Sequence, residues 1–136
     1  MKTIFTYTRK QAIEDGVLVD LNQKPTAEDP NIDDLDELCR NAGFKYPIAI
    51  TYAAFLKYVA LTPAAERAGN DIKGRLWDIL TMLRFAIRGS SNTDQITFEF
   101  RCVTTRIRPS RCFLKAVVGG GDNGEPVITL MEVTED

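Results

Sequence analysis

The sequence predicts an α+β fold in which helices pack on a three-stranded antiparallel C-terminal meander, over about 95–105, 111–118 and 126–133. Three observations carry this expectation. Ile72, Leu76, Ile79, Leu80, Leu83, Ala86 and Ile87 fall within one arc of a wheel of about 3.6 residues per turn, which marks an amphipathic helix over 71–88. From Ile96 the period changes to two, with Ile96, Phe98, Phe100 and Cys102 alternating against Thr97, Glu99, Arg101 and Val103. Cys112, Leu114, Ala116 and Val118 repeat that alternation, and a glycine-rich turn then leads to a third apolar run from Val127 to Val133.

The N-terminal part supplies shorter elements. Thr8-Arg9-Lys10-Gln11 reads as a capping box for a short helix, which Gly16 ends by taking a left-handed conformation. Val17-Leu18-Val19 reads as a short strand. Residues 21–32 hold Pro25 and Pro30 among mostly polar neighbours, so they form a loop and the expected site of mobility. Asp33 can cap a second helix carrying Leu35, Leu38 and Cys39, closed by Gly43. Ile48-Ala49-Ile50 is extended, and Thr51 can cap a third helix through Leu61 that Pro63 stops.

One register suits both arms of the hairpin, centred on Ile107. It sets Phe100 opposite Leu114, Phe98 opposite Ala116 and Ile96 opposite Val118 on the buried side, with Glu99 opposite Lys115 on the other. Cys102 then faces Cys112. A cross-strand disulfide is the sharper reading of that pair, and two buried reduced thiols is the plainer and preferred one.

Composition bounds the function. A chain of 136 residues with 44% hydrophobic and 26% charged residues matches one folded domain, 1–136, and is not that of a disordered or fibrous protein. The start lacks the apolar core of a signal peptide, and no run approaches the roughly 18 apolar residues of a membrane span, so the expected location is the cytoplasm with no membrane partner. There is no histidine, which removes the usual general base and the commonest metal ligand; no catalytic residue, metal or cofactor is expected. Gly119-Gly120-Gly121 is a poor phosphate nest, since it leads into a strand and is followed by Asp122.

Charge is unevenly placed despite a net charge of −2. Residues 28–37 carry six acids and no base, while residues 100–120 carry five bases and no acid. Two candidate partner-binding surfaces result. Arg101, Arg106, Arg108 and Arg111 concentrate positive charge around the hairpin tip, which suits phosphates or an acidic protein; charged strand edges also serve simply to oppose aggregation. On the long helix, Lys73, Trp77, Arg84 and Arg88 project away from the apolar arc, a composition found in interface hot spots and in stacking sites for single-stranded nucleic acid. The competing reading covers Trp77 with the 21–32 loop or the N-terminal segment. An exposed tryptophan stripe also suits a homodimer seam.

Three blocks carry a resemblance. They are Ile4-Phe5-Thr6-Tyr7-Thr8-Arg9-Lys10-Gln11 with the following residues to Asp20, Ala42-Gly43-Phe44-Lys45-Tyr46-Pro47 with the helix from Gly74 to Arg88, and Leu114-Lys115-Ala116-Val117-Val118-Gly119 with residues 122–129. Together they resemble a family of short uncharacterised proteins from bacteriophages, plasmids and integrated mobile elements. The resemblance brings no activity. It implies a non-enzymatic accessory protein that binds a host protein or protein complex, including an inhibitor of a host defence complex; the alternatives are a nucleic-acid-binding regulator using the basic tip and a protein with a purely structural role.

Overall fold

A computed structural model describes residues 7–89 and 94–135. Its centre is a five-stranded mixed sheet with strand order β1-β2-β5-β4-β3. The meander expected from the alternating sequence is present as β3 (Gln95–Cys102), β4 (Ser110–Gly120) and β5 (Pro126–Met131), antiparallel throughout. Two strands enlarge it. β1 (Leu18–Asp20) pairs antiparallel with β2 (Ile48–Thr51), and β2 joins β5 in parallel with Ile48 beside Ile128 and Ile50 beside Leu130.

The hairpin register is shifted by two residues from the sequence expectation. Phe100 faces Cys112, Phe98 faces Leu114, Ile96 faces Ala116, and Cys102 faces Ser110 rather than Cys112. A two-residue shift keeps every side chain on its face, so apolar alternation does not distinguish the two pairings. The observed one instead sets Glu99 diagonally across from Arg111, whose Nε and Nη2 donate to the two carboxylate oxygens at 2.9 and 3.0 Å. Cys39, Cys102 and Cys112 are buried free thiols.

The helices follow their caps. In α1 (Arg9–Glu14) the Thr8/Gln11 capping box is complete and Gly16 has φ +79°. Asp122, in the β4–β5 turn, accepts from the backbone N–H groups of Arg9 and Lys10 at 2.8 and 3.0 Å, and Arg9 donates to Thr129 Oγ1 and Ile128 O. The glycine-rich turn therefore holds a helix start through its acid. In α2 (Leu35–Asn41) the cap is Asp34, one residue later than expected, with its carboxylate accepting from Glu37 N. The 21–32 loop is anchored where it begins: Leu21 is fully buried and its N–H donates to Ile48 O, continuing the β1–β2 ladder.

Thr51 caps α3 (Tyr52–Ala54), but the expected regular helix to Leu61 does not form. One α-turn passes into a wider π-turn over Phe55–Val59, closed by Ala60 N donating to Phe55 O at 2.9 Å. Nor does Pro63 merely stop a helix. Thr62 caps α4 (Pro63–Arg67), and Pro63 takes the first helical position, where its missing N–H costs nothing. Asp71 caps α5 (Ile72–Arg88), whose Leu76, Ile79, Leu80 and Leu83 pack with Phe98, Phe100, Leu114 and Leu130 in the main core.

One buried cation ties these pieces together. Arg75 is only 5% exposed; its Nε donates to Val59 O at 3.1 Å, and its Nη1 donates to Val103 O at 2.7 Å and to Asn70 Oδ1 at 3.2 Å. It satisfies the carbonyl at the end of the π-turn and the one just past β3. β3 consequently ends at Cys102 rather than running to 105, because Val103 turns its carbonyl to Arg75. Replacing Arg75 with Leu strands both acceptors and is expected to lower the unfolding free energy by about 2–5 kcal/mol in urea titrations. Arg75→Lys, a point donor without the fork, is expected to recover only part of that loss.

Candidate functional site

α5 positions the candidate surfaces, with a groove on each flank. The first lies at its C-terminal end, where the turn after α2 and the ends of β3, β4 and β5 converge on a cleft of about 570 Å³. Ile96, Ala116, Val118 and Ile128 form an apolar floor, and Lys45, Arg84 and Arg88 stand around it with Tyr46 and Ile87. Asp94 is the one acid among the described lining residues.

Arg84 is held firmly. Its Nη1 donates at 2.8 Å to Ala42 O, the carbonyl at the C-terminal end of α2, where the helix dipole favours a cation. Gly43 follows in the left-handed region at φ +98°, and a Cβ there would fall on the Arg84 guanidinium. Gly43 is thus required twice, for the turn and for the space. Lys45 and Arg88 are exposed on either side and present their charges to the cleft.

The second groove, of about 590 Å³, lies between α5 and β3. It is lined by Trp77, Asp78, Thr81 and Met82 from the helix and by Glu99, Phe100 and Arg101 from the strand. Trp77 is 39% exposed there. Asp78 is exposed as a residue, but partial desolvation of its carboxyl beside the helix and strand pushes that group up from its ordinary value.

The eight sequence candidates therefore separate. Arg84 and Arg88 share the first cleft, while Trp77 and Arg101 share the second groove; Lys73 is exposed and lines neither. Arg101 and Arg111 face each other across β3 and β4. Arg111 is engaged by Glu99, whose carboxyl that bond holds below its usual value, and lies 5.6 Å from the Phe113 ring centroid. Arg106 and Arg108 extend into solvent on the connecting loop, beside a half-exposed Ile107. Sequence reasoning missed Lys45, Tyr46 and Asp94 as companions of Arg84 and Arg88. Lys45 and Tyr46 are brought in by the packing of α2 against α5 and of β2 beside β5, contacts between distant segments that no local pattern signals, whereas Asp94 stands at the entry to β3, six residues after Arg88.

Among the described residues no cluster of three or more acids or cysteines could hold a metal ion, and no helix is long and apolar enough to cross a membrane. A family model described as a family of unknown function, DUF6573, matches residues 1–136. The chain belongs to DUF6573. No curated protein and no solved structure matches it. Membership of DUF6573 carries no activity or partner, so the chemistry of the grooves is the guide to function.

Two outcomes test this geometry. Gly43→Ala combines a left-handed alanine with displacement of Arg84 and is expected to cost at least about 1–3 kcal/mol, read as a lowered melting temperature. For Asp78 the sign follows from this partial desolvation. Its folded pKa lies above the ordinary 3.8, so its contribution is most favourable below that value and is lost as pH rises through the folded one. Asp78→Asn is therefore expected to raise the melting temperature near neutral pH and leave it unchanged near pH 3.

Proposed function

We propose that this protein is a non-enzymatic binding protein that captures an acidic, partly apolar segment of another protein in the cleft at the C-terminal end of α5. The observation that carries the reading is the ring of Lys45, Arg84 and Arg88 around an apolar floor, opposed by Asp94 alone among the described lining residues. Apolar area supplies affinity in such a cleft, and the cations select the sign of the partner and speed its approach. In the mobile-element setting that the sequence resemblance implies, the partner is a host protein, for which a component of a defence complex is the leading candidate.

The test is a pull-down from host lysate with the wild type and with the double variant Lys45→Glu, Arg88→Glu, both residues being exposed. A protein retained by the wild type should bind the variant about tenfold more weakly, since losing two exposed ion pairs worth up to about 1 kcal/mol each removes at most about 2 kcal/mol. Equal retention at an unchanged melting temperature overturns the reading.

A second reading rests on the solvent-facing Arg106 and Arg108, which suit nucleic-acid phosphates. It requires a gel shift at low salt that weakens steeply as salt rises and disappears in Arg106→Glu, Arg108→Glu.

A further inference from the structure

β3 is the outer strand of the sheet, and along Thr97–Arg101 no strand pairs with its outer edge among the described residues. Asp94 O accepts from Val118 N at 2.8 Å, which fixes the alternation of the β3–β4 ladder: even-numbered residues of β3 turn their backbone groups to β4. The N–H and C=O groups of Thr97, Glu99 and Arg101 consequently point outward. Natural proteins blunt such edges with proline, lysine, bulges or short strands. β3 has eight residues, a continuous register with β4, and neither proline nor lysine. Beside it α5 exposes Trp77 and Met82 at 39% each and Phe85 at 58%, so apolar surface borders the open backbone.

The charges on this edge are self-complementary. Two copies of β3 paired antiparallel about a two-fold axis at Phe100 set Glu99 opposite Arg101, and the symmetry repeats the contact. Pairing centred on Glu99 would set two carboxylates against each other. Within its own chain Arg101 faces another cation, Arg111, and no carboxylate hydrogen-bonds it among the described residues. Glu99 already accepts from Arg111 with both oxygens and retains lone pairs for a second guanidinium. Directly opposed residues of an antiparallel pair share a face, so the two α5 helices come to the same side of one continuous sheet, with Trp77 and Met82 bordering the seam.

We propose that β3 is the seam of a two-fold homodimer, in which Glu99 of each copy faces Arg101 of the other and the two sheets join into one. This surface is separate from the cleft at the end of α5, and its test is independent of that cleft.

Sedimentation equilibrium of the full chain decides it. The wild type should show twice the monomer mass. Arg101→Glu sets like charges across the axis while placing an acid opposite Arg111 in its own chain; it should fold and raise the dimer dissociation constant at least about a hundredfold. The charge swap Glu99→Arg, Arg101→Glu should restore the dimer. Arg101→Pro gives a second route, because the N–H it removes points away from β4 and is the one that would donate to Glu99 O across the seam; it should yield a folded monomer. A wild type that stays monomeric at the highest attainable concentration overturns the proposal, including where it binds an extended peptide at this edge instead. So does a dimer that survives Arg101→Pro, or a charge swap that folds but remains monomeric.

Discussion

The buried guanidinium of Arg75 is the interaction on which the arrangement of this fold depends. It joins three segments that apolar packing alone brings near one another without fixing: the end of the π-turn at Val59, the exit of β3 at Val103 and the start of α5. A cation almost out of water is tolerated only when its donors are satisfied, and here they are met by oxygens of the main chain and of Asn70. The fork geometry matters because each arm reaches a different segment. Tyr58 meets Phe100 edge-on at 5.2 Å between ring centroids, so the same corner is also packed by aromatic contact.

With its N-terminal end fixed in this way, α5 lies along β3 and presents a different chemistry on each flank. Toward α2, the close approach of Arg84 to Gly43 gives a cationic cleft with an apolar floor. Toward the free edge of β3, Trp77 and Met82 border exposed backbone. The two surfaces place different demands on a ligand, one for negative charge and one for an extended strand. A single helix serves both because its buried arc occupies only part of its circumference.

What the sequence made legible was mostly local. Thr8 with Gln11, and Thr51, each cap a helix because the cap oxygen and the N–H it accepts from lie within four residues. The alternation in β3 and β4 identifies the strands and their buried faces, yet leaves the register undecided between pairings two residues apart. Pro63 reads equally as a terminator or as a first helical residue until Thr62 is seen to cap α4. Arg75 was hidden because it adjoins the apolar arc of α5, and nothing in its neighbours distinguishes a buried arginine from a solvated one. Lys45 lies in a segment that carries part of the sequence resemblance, but its meeting with Arg84 and Arg88 depends on α2 packing against α5, far apart in the chain.

The parallel pairing of β2 with β5 also bears on how the chain reaches its native state. β3, β4 and β5 are consecutive and can zip together by short loops, whereas Ile48 must find Ile128, eighty positions later. Closing so long a loop before any contact rewards it is entropically slow. The β1–β2 pair is therefore expected to wait for a template, with Ile48 and Ile50 exposed until β5 is in place. During that interval the chain carries two incomplete sheets, and the late step of folding is their lateral merger.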